Sequence, residues 1–434
     1  MATDTGRSII ELGDTISRLT KKLQSACDEQ SVPSPTVNDV GAASRKSLLE
    51  VDAAAALELA DAIRELEIVA QHPRLNLGIL ALATLDASIL GVIAEFDIAA
   101  LVPLDGSITY SELAGKTGID EDRLTRIVRY AIVNFIFREE PIGHVKHTLL
   151  SAHLTHSPNF NVFLQTISRV FAETNAAIPD ALRRWPSTAA QNKTAHNIAR
   201  ATDATFYGWM DVNQPIREIF DKGMEGVSKE GQRLQDTDIR AYPWDKLPGN
   251  ATVVDVGGSW GHVIKDLAEL FPSYSFVIQD LPAVIKAAVL EWKKDGIRTD
   301  KLKNVGFSEH NFFDPQPVVG ADVYYFRHVI HANPDKEAVA VLKAHLPALK
   351  PGARILVSEY IVPSNADAHN LASLENKPMR QMDMMALALC NSKERTKEEY
   401  ASLFAQASPK LVLKNAYQVP DDPRSCVFEA VYEG

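Results

Sequence analysis

The sequence predicts an α/β chain in two parts. The C-terminal part is a doubly wound, Rossmann-like sheet of seven strands, and a mostly α-helical region with a winged helix precedes it. Three observations predict this. The β-branched run Val253 to Val256 ends in Gly257-Gly258-Ser259-Trp260-Gly261-His262. An amphipathic helix follows at once (Val263, Ile264, Leu267, Leu270, Phe271), and a second apolar run, Ser275 to Ile278, ends on Asp280. That order is half of a doubly wound sheet, with the glycine turn and the distal acid placed for a nucleoside. From 252 onward strand-like and helix-like segments alternate, as parallel sheets require. Finally, residues 107–156 read helix, turn, helix and a two-stranded wing.

The first element is a helix over 7–28. Its apolar positions Ile9, Leu12, Ile16, Leu19 and Leu23 form one narrow seam. Ser31 to Thr36, with two prolines, is an extended linker. An Ala/Leu/Glu helix is expected over 46–71 and another over 76–97. The second carries Asp86 and Glu95 and reads as a buried helix more than a membrane span. In the winged unit Ile108 to Ala114 opens the first helix, Gly118 to Asp122 is a capped turn, and Leu124 to Ile136 is the second helix. A wing frames Pro141 to His144.

Residues 160–226 are expected to be helical and carry an aromatic stripe. Phe163 and Met210 are candidate pocket positions within it, although such stripes are also ordinary core. A charged stretch, 225–240, leads to Tyr242-Pro243-Trp244. The expected strands are then 252–256, 276–278, 304–307, 323–326 and 354–360, closed by a hairpin of 410–419 with 425–432. The segments are 1–45, an N-terminal helix and linker; 46–160, a dimerisation domain; 161–245, a connecting and substrate-pocket region; and 246–434, the nucleoside-binding catalytic domain.

The net charge of −11 argues against nucleic-acid and anionic-membrane partners. The second helix of the winged unit has few basic residues, which points the same way. Three scattered cysteines (Cys27, Cys390, Cys426) suit a reducing, cytoplasmic compartment. The N-terminus reads without a secretory signal. The turn lacks the full G-x-G-x-x-G spacing and no P-loop lysine follows, which favours S-adenosylmethionine over a dinucleotide or ATP.

Three residues beyond the nucleoside half carry the candidate chemistry. His331 follows the fourth strand, Glu359 ends the fifth, and Glu394 lies in a polar turn before the next helix. Catalytic groups gather at the carboxyl ends of such strands. An imidazole there takes a proton from a substrate hydroxyl, and a carboxylate on its other nitrogen fixes the tautomer. No His/Asp/Glu cluster at ligand spacing is evident near the cofactor strands, so no metal is expected.

Phe326-Arg327-His328-Val329-Ile330-His331, the run Leu349 to Glu359, and Lys393-Glu394-Arg395-Thr396 together resemble the caffeate-type O-methyltransferases, especially fungal members from secondary metabolism. Asp255 to His262, Gln279-Asp280-Leu281-Pro282 and His147-Thr148 fit the same family, so the resemblance spans residues 75–432. It implies a seven-stranded S-adenosylmethionine-dependent methyltransferase domain, a homodimer and a small-molecule substrate. It also implies His331 as general base flanked by Glu359 and Glu394. Asp255, Gly257, Gly258, Gly261, Asp280 and Leu281 would hold the cofactor, with Asn311 and Phe312 at adenine and Arg327 as a basic contact. Met385 and Leu389 fall at pocket positions. His331-Ala332-Asn333 replaces the family His-Asp-Trp, and Asn311 replaces a commoner Asp. Two activities stay open: methylation of an aromatic or polyketide-derived hydroxyl, or a cofactor-bound pericyclic or dehydrating cyclisation without methyl transfer.

Overall fold

The computed structural model of the chain describes residues 6–41, 45–230, 239–294, 303–362, 372–419 and 422–434. The charged stretch read over 225–240 lies partly outside them. The chain forms two compact units. One comprises residues 1–173, 210–230 and 372–377; the other comprises 174–209, 231–371 and 378–434. The segment boundaries read from the sequence do not coincide with these units, because region 161–245 is divided between them. Helix Gln214–Glu230 returns to pack on helix Pro158–Thr166. Gly223 allows that approach: a Cβ there would lie 2.2 Å from Thr166 Oγ1.

In the first unit, helix Ile9–Glu29 starts at a Ser8/Glu11 capping box and buries Leu12, Leu19, Leu23 and Cys27. Its seam packs on helix Ala53–Ala70. The single helix expected over 46–71 is broken at Asp52, which caps the second piece by accepting from the Ala55 N–H. Strand β1 (Ile108–Thr109), helix Tyr110–Thr117, a left-handed Gly118, helix Glu121–Val133, β2 (Phe137–Glu139) and β3 (His144–His147) follow. They form a helix-turn-helix with a three-stranded sheet in the order β1-β3-β2.

Helix Pro73–Glu95 departs from expectation. Only its C-terminal end is buried, through Gly91, Ile93 and Ala94. Leu75, Leu77, Ile79, Leu80, Leu82 and Leu85 are exposed. The helix is long and apolar enough to cross a membrane (mean hydropathy 2.1), yet only 17% of that window is buried. The expected buried helix is thus largely uncovered by the described residues over its first turns.

The second unit contains β4 (Thr252–Val256), β5 (Ser275–Asp280), β6 (Val305–Glu309), β7 (Val323–Arg327), β8 (Arg354–Tyr360), β9 (Leu411–Val419) and β10 (Asp422–Tyr432). They form one sheet in the order β6-β5-β4-β7-β8-β10-β9, with β4 to β8 parallel and β10 antiparallel to β8 and β9. Alternate residues serve the two faces. Val254, Tyr324, Phe326, Ile355 and Val357 pack under helices Asp335–His345 and Lys397–Ala407. Val253, Val323, Tyr325 and Leu356 pack against Trp244, Ile264 and Leu267. The strand order reverses between β4 and β7, which is where ligands bind in such sheets.

Candidate active site

The turn after β4 is built for close approach. Gly257 and Gly261 both lie at φ 74°, a left-handed conformation that costs other residues about 1–2 kcal/mol. A Cβ on Gly257 would sit 2.8 Å from Val329 Cγ2, on Gly258 2.4 Å from Asp255 Oδ2, and on Gly261 2.4 Å from Ile278 Cδ1. The Gly257 and Gly258 N–H groups donate to the Gln279 carbonyl at 2.8 and 3.0 Å, which locks the turn onto β5. Asp280 accepts from the Ser259 N–H at 2.9 Å and the Leu281 N–H at 2.8 Å. An ionised carboxylate has about four acceptor sites, which suits a ribose hydroxyl as a further partner. Asp255 is buried beneath Gly258. Burial lifts its pKa to about 7, the Arg327 charge opposing and Asp280 adding to the rise.

His310 N–H donates to the Asp280 carbonyl at 2.9 Å, so the segment after β6 is tied to the end of β5. Phe312, half-buried on the sheet core, is presented beside it. Asn311 is exposed and accepts from the Phe313 N–H at 3.1 Å. Crowded glycines, a strand-end carboxylate and an aromatic face fit an adenosine-bearing group such as S-adenosylmethionine.

At the end of β7 the chain turns through His328, whose φ is 52°. A non-glycine residue there is strained, and such residues collect at functional sites. The turn directs three successive N–H groups, of Val329, Ile330 and His331, onto Glu359 Oε1 at 3.0, 2.8 and 3.2 Å. The His331 ring is held from the opposite side: its Nδ1 lies 2.8 Å from Glu394 Oε1. The two glutamates therefore have different tasks, one on the backbone and one on the ring. With Nδ1 carrying the proton toward Glu394, Nε2 is the accepting nitrogen.

Burial alone would lower the His331 pKa. The Glu359 and Glu394 charges and the Glu394 hydrogen bond outweigh that and the opposing Arg395, so it is raised to about 9. This lies above the ordinary imidazole value near 6.5, because two carboxylates favour the imidazolium.

The carbonyls of this turn are also held by side chains. Asn333 Nδ2 donates to Val329 O at 2.8 Å, and Ser392 Oγ donates to His331 O. Gln191 Nε2 donates to Ala332 O at 3.3 Å and to Asn333 Oδ1 at 3.2 Å. Arg395, fully buried, donates through Nη1 to Ile330 O at 3.1 Å and through Nη2 to Asn333 O at 2.7 Å. Arg395, Ser392 and Gln191 received no role from the sequence. Arg395 sits inside a quoted motif, but nothing in its spacing marks it as buried, and Gln191 belongs to no motif.

The expectation that no ligand-spaced cluster lies near these strands is corrected too. His328, His331 and Glu359 offer ligand atoms within 4.8 Å of one another. Hydrogen bonds account for part of the grouping: Glu359 Oε1 takes three N–H groups and His331 Nδ1 faces Glu394, while His328 Nδ1 and Glu359 Oε2 stand 3.4 Å apart without a hydrogen bond. Helix Lys377–Cys390 carries a half-buried Met385 and a buried Leu389. It is joined to the site through Asp383 Oδ1, which accepts from the Glu394 N–H at 3.0 Å. Phe163 and Met210 belong to the first unit, where Phe163 lies 5.7 Å from the Phe160 ring and Met210 is buried.

A nucleoside-binding turn at the switch point of a seven-stranded sheet, with a carboxylate-held imidazole at the next strand end, defines the class of S-adenosylmethionine-dependent methyltransferases. Residues 189–408 match the model of the O-methyltransferase domain. The O-methyltransferase aunD of Aspergillus niger is 32% identical over 373 residues, covering 84% of this chain and 86% of its own. The grayanic acid biosynthesis cluster O-methyltransferase of Cladonia grayi is 31% identical over 426 residues, 98% of this chain and 88% of its own. The chain belongs to the O-methyltransferase family. Its fold is shared more widely: a solved structure described as a pericyclic reaction enzyme superposes with a TM-score of 0.73 at 21% identity, over 96% of this chain and 99% of that one. The fold therefore does not separate the two activities left open, whereas the relatives above 30% identity are O-methyltransferases and do not favour the cyclase.

Proposed function

We propose that the protein methylates a hydroxyl of an aromatic or polyketide-derived small molecule, with His331 as general base. The observation that carries this is the 2.8 Å contact between His331 Nδ1 and Glu394 Oε1, which leaves Nε2 to take the acceptor proton. S-adenosylmethionine supplies the methyl group. Asp255, Gly257, Gly258, Gly261, Asp280, Leu281, Asn311, Phe312 and Arg327 hold it. Glu394 stabilises the imidazolium as it forms, and Glu359 fixes the turn that carries the ring. Met385 and Leu389, on the helix tied to Glu394 through Asp383, line the acceptor pocket. The relative named for a grayanic acid biosynthesis cluster supports a small-molecule acceptor. Incubation with methyl-labelled S-adenosylmethionine and a panel of polyketide phenols tests the reading. Label in the product supports it, whereas an unlabelled isomer identifies a cyclase.

The protein is also proposed to act as a homodimer through helix Pro73–Glu95. The stretch Leu75 to Leu85 exposes six large apolar side chains, Leu75, Leu77, Ile79, Leu80, Leu82 and Leu85. It runs about 17 Å, short of the roughly 30 Å of a bilayer core, because the C-terminal end is committed to its own unit through Gly91 against Ser168. A second copy is the occupant that closes such a surface. The three cysteines, all free and buried, fit a cytoplasmic protein.

A further inference from the structure

We propose that Arg395 is a positioning residue for the reaction, spanning the turn of the catalytic base and setting where the His331 ring stands. The inference rests on the assignment of His331 as base. His331 lies on a single short turn of 3-10 helix, Ile330–Ala332, which has almost no hydrogen bonds of its own to define it. Its geometry is imposed from outside. Glu359 draws the N–H groups one way, and Arg395 draws the carbonyls the other, at Ile330 just before the base and at Asn333 just after it. A guanidinium is the side chain that can do this, because its donors form a planar fork with fixed angles. Asp335 holds that fork, accepting from Nε at 3.0 Å and Nη2 at 2.8 Å.

The residues beside Arg395 act on the same histidine. Glu394 holds the ring and Ser392 the His331 carbonyl, so the strand-like span 392–395 grips the base at ring and backbone together. The Arg395 backbone is itself fixed, its carbonyl accepting from the Val362 N–H at 3.1 Å beyond the end of β8. A fully buried arginine is rarely kept for stability alone, since hydrophobic replacements of buried ion pairs are often neutral or better. Here its hydrogen bonds from Nε, Nη1 and Nη2 go to the base turn and to the aspartate that orients it.

Asp335, which Lys393 also pairs with, and the Tyr400 hydroxyl interact with this guanidinium. Arg395 also offsets the carboxylates that favour the charged form of His331. Its loss therefore displaces the base and keeps it protonated to higher pH.

The test is Arg395→Lys, which keeps the charge and loses the fork, read by kcat, KM for the acceptor, S-adenosylmethionine affinity by calorimetry, and melting temperature. A misplacement of about 1 Å costs on the order of 100-fold. The expected result is a kcat loss of roughly 10- to 100-fold with acceptor KM and cofactor affinity near wild type. In a His331→Ala background the same change has little further effect. Asp335→Asn, which loosens the fork from a partly exposed position, is expected to lower kcat a few-fold at unchanged KM. A folded Arg395→Lys enzyme with wild-type kcat overturns the inference. If that variant does not fold, a wild-type kcat in Asp335→Asn overturns it. A wild-type rate in His331→Ala would instead overturn the assignment of the base, which is a separate failure.

Discussion

At the residue scale, His331 sits between two buried carboxylates with separate duties, and this sets its titration. Removing the imidazole takes away the proton acceptor, so His331→Ala is expected to lose on the order of 100- to 10,000-fold in kcat with cofactor affinity kept. The pH profile of kcat/KM reports the free enzyme. It should rise through an apparent pKa well above 6.5 and toward about 9. Glu394→Gln removes one of the charges that raise this value, so the limb should move to lower pH; a limb that stays in place would mean Glu394 does not act on the ring. Stability follows the same sign. A histidine whose pKa is higher folded than unfolded stabilises fully below about pH 6.5 and loses that contribution as pH rises to about 9. Melting temperature should therefore fall across that window in the wild type, and less so in His331→Gln. In the cluster with His328, Glu359 Oε1 is taken by three N–H groups and His331 Nδ1 by Glu394, and the acceptor proton already has a base in His331. EDTA is expected to leave turnover unchanged, and loss restored by magnesium would reverse this.

At the element scale, the site is made where strands end and chain direction changes. The turn after β4 depends on three glycines for different reasons. Gly261→Val combines a left-handed backbone with a collision against Ile278 on β5, and should abolish cofactor binding. Gly258→Ala keeps an allowed backbone but displaces the buried Asp255 carboxylate, so weaker cofactor binding, by roughly 10-fold or more, is expected with the fold retained. Calorimetric titration of both variants checks this order, and equal affinities would contradict it. The turn after β7 uses no glycine. His328 takes the strained conformation there, and Glu359 at the end of β8 holds the three N–H groups that result. Adjacent parallel strands therefore divide the work: β7 delivers the base and β8 delivers the anchor that orients its backbone.

At the scale of the whole molecule, the apolar surface that the chain leaves uncovered carries the main prediction. Sedimentation at micromolar concentration should give twice the chain mass. Replacing Leu77, Leu80 and Leu82 together with serine or lysine should shift it to the monomer while the chain stays folded. These side chains are exposed in the single chain, so their loss costs little within it. A monomeric wild type, or one that partitions onto lipid vesicles, would reject the dimer reading.

Strand and helix order in the second unit was legible in the sequence because each strand carries a local signal. Alternation at Val253 to Val256, Val323 to Phe326 and Arg354 to Tyr360 fixes which residues face which layer, and the glycine turn fixes where the ligand end lies. Spacing and type alone also placed His331, Glu359 and Glu394 at strand or helix ends. What each does was decided only by tertiary structure. Whether a glutamate meets a ring nitrogen or a backbone N–H depends on how β7 turns at His328 and where residues 392–395 return, and neither is encoded locally. The burial of Arg395, the reach of Gln191 from far upstream, and the exposure of Leu75 to Leu85 share that cause. Each is set by what the remote chain packs against, and a periodicity reports a face without reporting what covers it.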